Sequence, residues 1–93
     1  MSEAQEKKKF RRYIRDLGHI VQDFVGERDN PDLIVLTKCG RVVFFEFKYG
    51  KGKLRRGQAI VKRELEGMGF SVFIPYSFEE AKRQFFLFLN GPA

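Results

Sequence analysis

Asp32, Glu46 and Lys48 are ionisable residues set in the otherwise apolar stretch NPDLIVLTKCGRVVFFEFKYG, residues 30–50. Two carboxylates and an ammonium suit the hydrolysis of a phosphodiester. Their oxygens could hold a hard divalent cation, Mg²⁺ or Mn²⁺, with open positions left for water and phosphate oxygens. A metal there would acidify a water and offset charge on the scissile phosphate. Lys48 would orient that water or stabilise charge in the transition state. The competing reading is structural: Glu46 pairs with Lys48, and Asp32 only opens a strand after Pro31.

The three residues act together only if the chain brings them to one patch, and the turn between the two apolar runs decides that. Lys38-Cys39-Gly40 predicts a three-residue loop with Gly40 left-handed as a G1 bulge, pairing Thr37 with Arg41. Counting outward from that pair, Asp32 falls opposite Glu46. Glu46 and Lys48 share a face because side chains alternate along a strand. A two-residue loop would instead set Asp32 opposite Phe47 and on the other face.

The remaining elements follow from periodicity. Ser2 and Gln5 form a capping box, after which Phe10, Tyr13, Ile14 and Leu17 recur at helical spacing until Gly18. HIVQDFV reads as a strand, and the quoted stretch supplies two more. Residues 54–68 return to helical period, with Leu54, Gln58, Val61, Leu65 and Met68 on one stripe. GFSVFIPY is a fourth strand, and Ser77 with Glu80 opens a last helix that runs to about Leu89. The expected fold is an α/β sandwich, αβββαβα, around one mixed sheet. Gln58 is the one polar residue on its stripe; it is either a rim residue or a group that hydrogen-bonds Lys48, a site water or nucleic acid.

Composition bounds the partners. The 93 residues suit a single domain, with a core that covers only about 60 to 65% of the unfolded chain's surface. A 43% hydrophobic content with eleven Phe argues against disorder, and 32% charged residues with no long apolar run argue against a membrane span. The absence of an apolar stretch behind the N-terminal charges, and the single Cys39, lead to the expectation of a reducing, cytoplasmic setting. The net charge of +6 is concentrated in residues 7–15 and 48–56. Such clusters fit a polyanion such as DNA or RNA, or else a solvated basic surface. Lys51, Lys53, Arg55 and Arg56, between the third strand and the middle helix, are the candidate phosphate contacts. His19 and Cys39 have no companions that would make a metal or catalytic site.

Pro31-Asp32 followed by Glu46, Phe47 and Lys48 resembles the PD-(D/E)xK nuclease signature. With Gln58 ten residues after Lys48, and GKLRRGQAIVKRELEGMGFSVFIPYSFEEA behind it, nearly the whole chain is most similar to the virus-type replication-repair nuclease (VRR-NUC) branch. The resemblance implies a restriction-endonuclease-like fold and a metal-dependent DNA endonuclease. In that reading Asp32, Glu46 and the backbone carbonyl of Phe47 bind Mg²⁺ or Mn²⁺, Lys48 is the catalytic lysine and Gln58 assists it. It also implies an acidic residue from the first helix, for which the apolar stripe singles out Glu3 or Glu6; the alternative is that both serve the helix dipole. Small stand-alone members are associated with phages, hence a bacterial or phage-infected cell, and with homodimers that cut branched DNA such as Holliday (four-way) junctions. Phe86 and Leu87 fall outside the apolar stripe of the last helix, so that Phe-rich helix is the expected dimer surface. GERDNPD departs from the family in lacking a Gly just before the PD. The alternative function is a non-catalytic nucleic-acid-binding module or an accessory subunit of a replication or repair complex.

Overall fold

The turn at Lys38-Cys39-Gly40 sets the register on which the sheet depends. Gly40 has φ of +86°, a conformation in which a Cβ would be strained. The Thr37 N–H donates to the Arg41 carbonyl at 2.9 Å, and the Gly40 N–H to the Thr37 carbonyl at 3.0 Å. The buried Thr37 hydroxyl fastens the same pair again, donating to the Arg41 carbonyl at 2.8 Å and accepting from the Arg41 N–H at 3.0 Å. The loop therefore has the three residues expected, and Leu33 faces Phe45 across the ladder.

The computed structural model describes residues 2–26 and 28–91. Its elements are α1 (Glu3–Asp16), β1 (Ile20–Asp23), β2 (Leu33–Leu36), β3 (Val42–Phe45), α2 (Arg56–Gly67), β4 (Ser71–Phe73) and α3 (Phe78–Asn90). The sheet order is β1-β2-β3-β4, antiparallel except for the parallel pairing of β3 with β4. This is the expected αβββαβα sandwich around a mixed sheet. Among the described residues, no helix is long and apolar enough to cross a membrane.

Helices α1 and α3 cover one face of the sheet. Phe10 of α1 packs its ring 4.6 Å from Phe45 and 6.4 Å from Phe85 of α3, and Phe85, Phe88, Ile14, Leu33, Val35 and Val43 complete the core. Ser2 caps α1 as expected, accepting from Gln5 N–H while the Gln5 side chain accepts from Ser2 N–H. Ser77 likewise accepts from Glu80 N–H, but the returning Glu80 carboxylate takes the N–H of Tyr76, one residue before the cap.

Helix α2 lies on the opposite face against the edge strand β4, and only part of its expected stripe is buried. Gln58 is enclosed, whereas Met68 is 67% exposed, because an edge strand offers nothing beneath the outer end of the stripe. The helix also starts later than residue 54: the Gln58 side chain accepts from the Arg55 N–H at 2.9 Å, which makes extended Arg55 the N-cap. Away from α2 this face stays open. Ile20 and Leu36, paired across β1 and β2, are 54% and 37% exposed.

Candidate active site

The site forms where β2 begins and β3 ends. The ladder ends with Leu33 facing Phe45, and the same register carried one residue further sets Asp32 opposite Glu46. Phe45 and Phe47 point into the core with no exposed surface. Glu46 and Lys48, alternating with them, turn to the side of α2. Beyond the regular strand their backbones stay pinned: Glu46 N–H donates to the Phe73 carbonyl at 2.9 Å and Lys48 N–H to the Pro75 carbonyl at 3.0 Å. The tail of β4 thus holds both side chains in place. Asp32 is held twice, its carbonyl accepting from Phe24 N–H at 3.0 Å and its Oδ2 accepting from Phe47 N–H at 2.9 Å.

The side chains form a connected group. Lys48 Nζ lies 3.3 Å from Glu46 Oε2 and donates to Gln58 Oε1 at 3.0 Å. Gln58 Nε2 donates to the same Glu46 oxygen at 3.0 Å. Gln58 therefore fixes Lys48, Glu46 and the start of α2 together, and both its buried amide oxygen and its amide nitrogen have partners. The Glu46–Lys48 pair of the structural reading exists, and it sits inside this larger group rather than replacing it.

Burial is the main cause that pushes the Glu46 carboxyl above its ordinary value of 4.5, and the facing Asp32 charge pushes the same way against the pull of Lys48. Between the ordinary and the raised value the folded protein holds a proton that the unfolded chain has released. This contribution to stability is present below the ordinary range and is lost as pH rises through the raised value. Thermal unfolding followed from about pH 4 to about pH 8 should show that slope in the native protein, and Glu46→Gln should remove it. An unchanged slope in the variant would assign it to other groups.

The donors fit a hard divalent ion. Glu46 Oε1 is buried and has no hydrogen-bond partner among the described residues, while the Asp32 carboxylate is near enough for its charge to act on Glu46. An oxygen-seeking cation would offset both charges and complete the orphaned atom. The Phe47 carbonyl remains the expected third ligand from the hairpin. Among the described residues, no group of three or more Asp, Glu, His or Cys side chains is gathered at metal-binding distance. Of the two candidates on α1, Glu6 has one oxygen engaged elsewhere, while its buried Oε2 has no hydrogen-bond partner among the described residues. Its Oε1 accepts from Phe78 N–H at 3.3 Å, at the N-terminus of α3. Glu3, one turn earlier, is half-buried.

Two nearby residues escaped the sequence reading. Lys7 reaches Asp32, with Nζ 3.9 Å from Oδ1; it stands three residues before Phe10 on the same stripe that singled out Glu3 and Glu6, so the signal was present. Asp29 had no such signal. Its carboxylate lies over Gly57 at the start of α2 and 3.4 Å from the Arg55 guanidinium, tying the loop before Pro31-Asp32 to the helix that carries Gln58. A Cβ on Gly57 would come 2.0 Å from Asp29 Oδ2. Gly57→Ala should therefore lower stability by up to about 1 kcal/mol, whereas Ala in an unobstructed helix position raises it by a similar amount. Gly67→Ala, where nothing lies within 4 Å of the added atom, is the control. Equal gains in the melting temperatures of the two variants would show that the Asp29 contact contributes nothing.

Lys51, Lys53 and Arg55, on the segment between β3 and α2, and Arg56, the first residue of α2, are all exposed. Tyr76 holds this segment by donating from its hydroxyl to the Gly52 carbonyl at 2.7 Å. Arg55 is partly committed to Asp29 and to the Arg28 carbonyl. His19 accepts from Lys38 N–H at 3.0 Å and packs edge-on against Phe85, and Cys39 is exposed in the turn; neither faces the site.

No protein-family model matches the chain, and no curated protein is similar enough to count as a match. A solved structure described as a VRR_NUC domain superposes with a TM-score of 0.82 over 97% of this chain and 97% of its own, at 24% sequence identity. The chain has the fold of a VRR_NUC domain.

Proposed function

We propose that the protein is a metal-dependent DNA endonuclease that hydrolyses phosphodiester bonds, with branched DNA such as a four-way junction as its substrate. The observation that carries this reading is the convergence of Asp32 and Glu46, with an unsatisfied Glu46 oxygen, beside a Lys48 ammonium that Gln58 holds in place. The likeness in fold to a VRR_NUC domain supports it.

Asp32, Glu46 and the Phe47 carbonyl would hold Mg²⁺ or Mn²⁺, which when bound supplies positive charge to the scissile phosphate and lowers the pKa of water. The chain's own residues do the rest. Lys48 presents its ammonium to the negative charge that grows on the phosphate oxygens as water attacks phosphorus and the ester bond breaks. Gln58 removes the freedom of that ammonium, so little reorganisation is needed at the moment of reaction. Lys51, Lys53 and Arg56 contact the backbone on either side of the cut, and Arg55 joins them with whatever reach its Asp29 contact leaves.

Phe86 and Leu87, 63% and 61% exposed on α3, are the surface proposed to pair two copies, so that two sites face the symmetric arms of a junction. Sedimentation of the native protein should give the mass of two chains, and Phe86→Asp with Leu87→Asp the mass of one.

The test of function is incubation with end-labelled linear duplex, flap and four-way junction DNA, with Mg²⁺, with Mn²⁺ and with EDTA. Metal-dependent cutting of the junction ahead of the duplex is expected. Equal cutting of all three would remove the junction preference. Failure to cut any of them in either metal would overturn the nuclease reading and leave the non-catalytic binding module.

A further inference from the structure

We infer that the outer face of α1 is a second phosphate-backbone contact, holding a duplex arm outside the cleavage site; the inference rests on the reading of the protein as DNA-binding. Lys8, Arg12 and Arg15 stand at positions i, i+4 and i+7 and so share one face of the helix. All three are exposed, and none has an ion-pair partner among the described residues. With Gln5, Lys9 and Arg11 they line a recess of about 490 Å³. Arg11 closes its own ion pair with Asp23 of β1, neutralising an acid that would otherwise sit beside the stripe.

Like charges one turn apart on a helix repel, and each such pair costs a few tenths of a kcal/mol unless an anion lies between them. A single small anion would bridge only two of the three cations. The run from Lys8 to Arg15 is about 10 Å long at 1.5 Å per residue, which matches about three phosphate steps along one DNA strand. The chemistry therefore fits a linear polyanion.

The stripe is also placed to cooperate with the site. Lys7, one residue before Lys8, turns inward to Asp32, so the outer face of α1 leads directly away from the carboxylates. The other basic group, Lys51 and Lys53 of the connection that crosses to the α2 face of the sheet and Arg56 at the start of α2, lies beyond β3. Two basic surfaces on opposite faces, with the carboxylates between them, hold two segments of backbone at once. A duplex lying along one of them leaves the other vacant; a branched DNA occupies both.

The test combines Lys8→Gln, Arg12→Gln and Arg15→Gln, changes that keep good helix-forming residues on an exposed face. Binding to a four-way junction and to a linear duplex is measured in the Asp32→Asn background, which separates binding from cutting, across a range of salt concentrations. Each phosphate contact contributes about −0.9 to the slope of log K against log salt, so the triple variant should show a junction slope shallower by about 2 to 3 and an affinity at least tenfold lower near 0.1 M salt. In the active background, cleavage at saturating junction should keep its rate while the half-saturating concentration rises. A salt slope and affinity equal to those of the parent would overturn the inference, as would absence of DNA binding by the parent itself. Binding that is lost in the triple variant of a protein that proves unable to cut would sustain the inference while the nuclease reading falls.

Discussion

Asp32→Asn should lower single-turnover cleavage by about 10³-fold, ~4 kcal/mol of transition-state stabilisation, with little change in fold. Asn keeps an oxygen able to accept from the Phe47 N–H, which Asp32 binds at 2.9 Å, so the hairpin end retains its tie. What it loses is the charge facing Glu46. Lys48→Ala should cost about 10²- to 10³-fold, because one charge-stabilising donor disappears while Gln58 still accepts from the Arg55 N–H and keeps α2 capped. A second readout does not depend on cutting. Mn²⁺ should raise the melting temperature of the native protein, by about 2.7 kcal/mol of added stability at a hundred times its dissociation constant, and should leave that of Asp32→Asn unmoved. Cleavage by Asp32→Asn within tenfold of the parent, or an equal Mn²⁺ shift in both, would remove Asp32 from the site.

Phe45→Ala is expected to be the most damaging change in the core. The ring has no exposed surface and packs 4.6 Å from Phe10, 5.5 Å from Phe73 and 6.4 Å from Phe85. It therefore joins α1, α3 and β4 through one residue of β3. Truncation removes that contact and leaves a cavity, at about 3 to 5 kcal/mol. For a domain of this size, that is a fall of roughly 15 to 30 °C in melting temperature and a large share of the total stability. Urea titration of Phe45→Ala and Phe45→Leu would measure it, with Leu expected to keep more than half of the loss from occurring. A cost below about 1 kcal/mol for Ala would mean that the two helices do not share a core over β3. Since Phe45 immediately precedes Glu46, the same ring also anchors the strand end from which the site projects.

The hairpin was legible because its geometry is local. Gly40, the pleat and a count of residues place Asp32 opposite Glu46, and no distant contact is needed for that step. Gln58 was legible for a related reason, as the one polar residue on an apolar helical stripe. The same stripe misled at its ends: Leu54 lies before the helix because Gln58 caps Arg55, and Met68 overhangs an edge strand. Periodicity marks which side of a helix is apolar, but not how far the surface beneath it extends.

The residues of α1 mark the limit more sharply. The spacing from Phe10 places Glu3, Glu6 and Lys7 on or beside the inward face, and all three were equally able to approach the site. The helix's position over the sheet sends Lys7 to Asp32 and Glu6 to the N-terminus of α3, 72 residues along the chain. Asp29 over Gly57 is a contact of the same kind. By itself the sequence determined the register of the hairpin, the common face of Asp32, Glu46 and Lys48, and the order of the elements, since each follows from turn geometry, strand alternation and helical period over a few residues. Only the tertiary structure decided which side chains from other elements meet that face and which oxygen of Glu46 is left buried without a partner among the described residues. Those outcomes depend on how helices lie across a sheet, and that is set by the summed packing of rings such as Phe10, Phe45 and Phe85 rather than by any short stretch of chain.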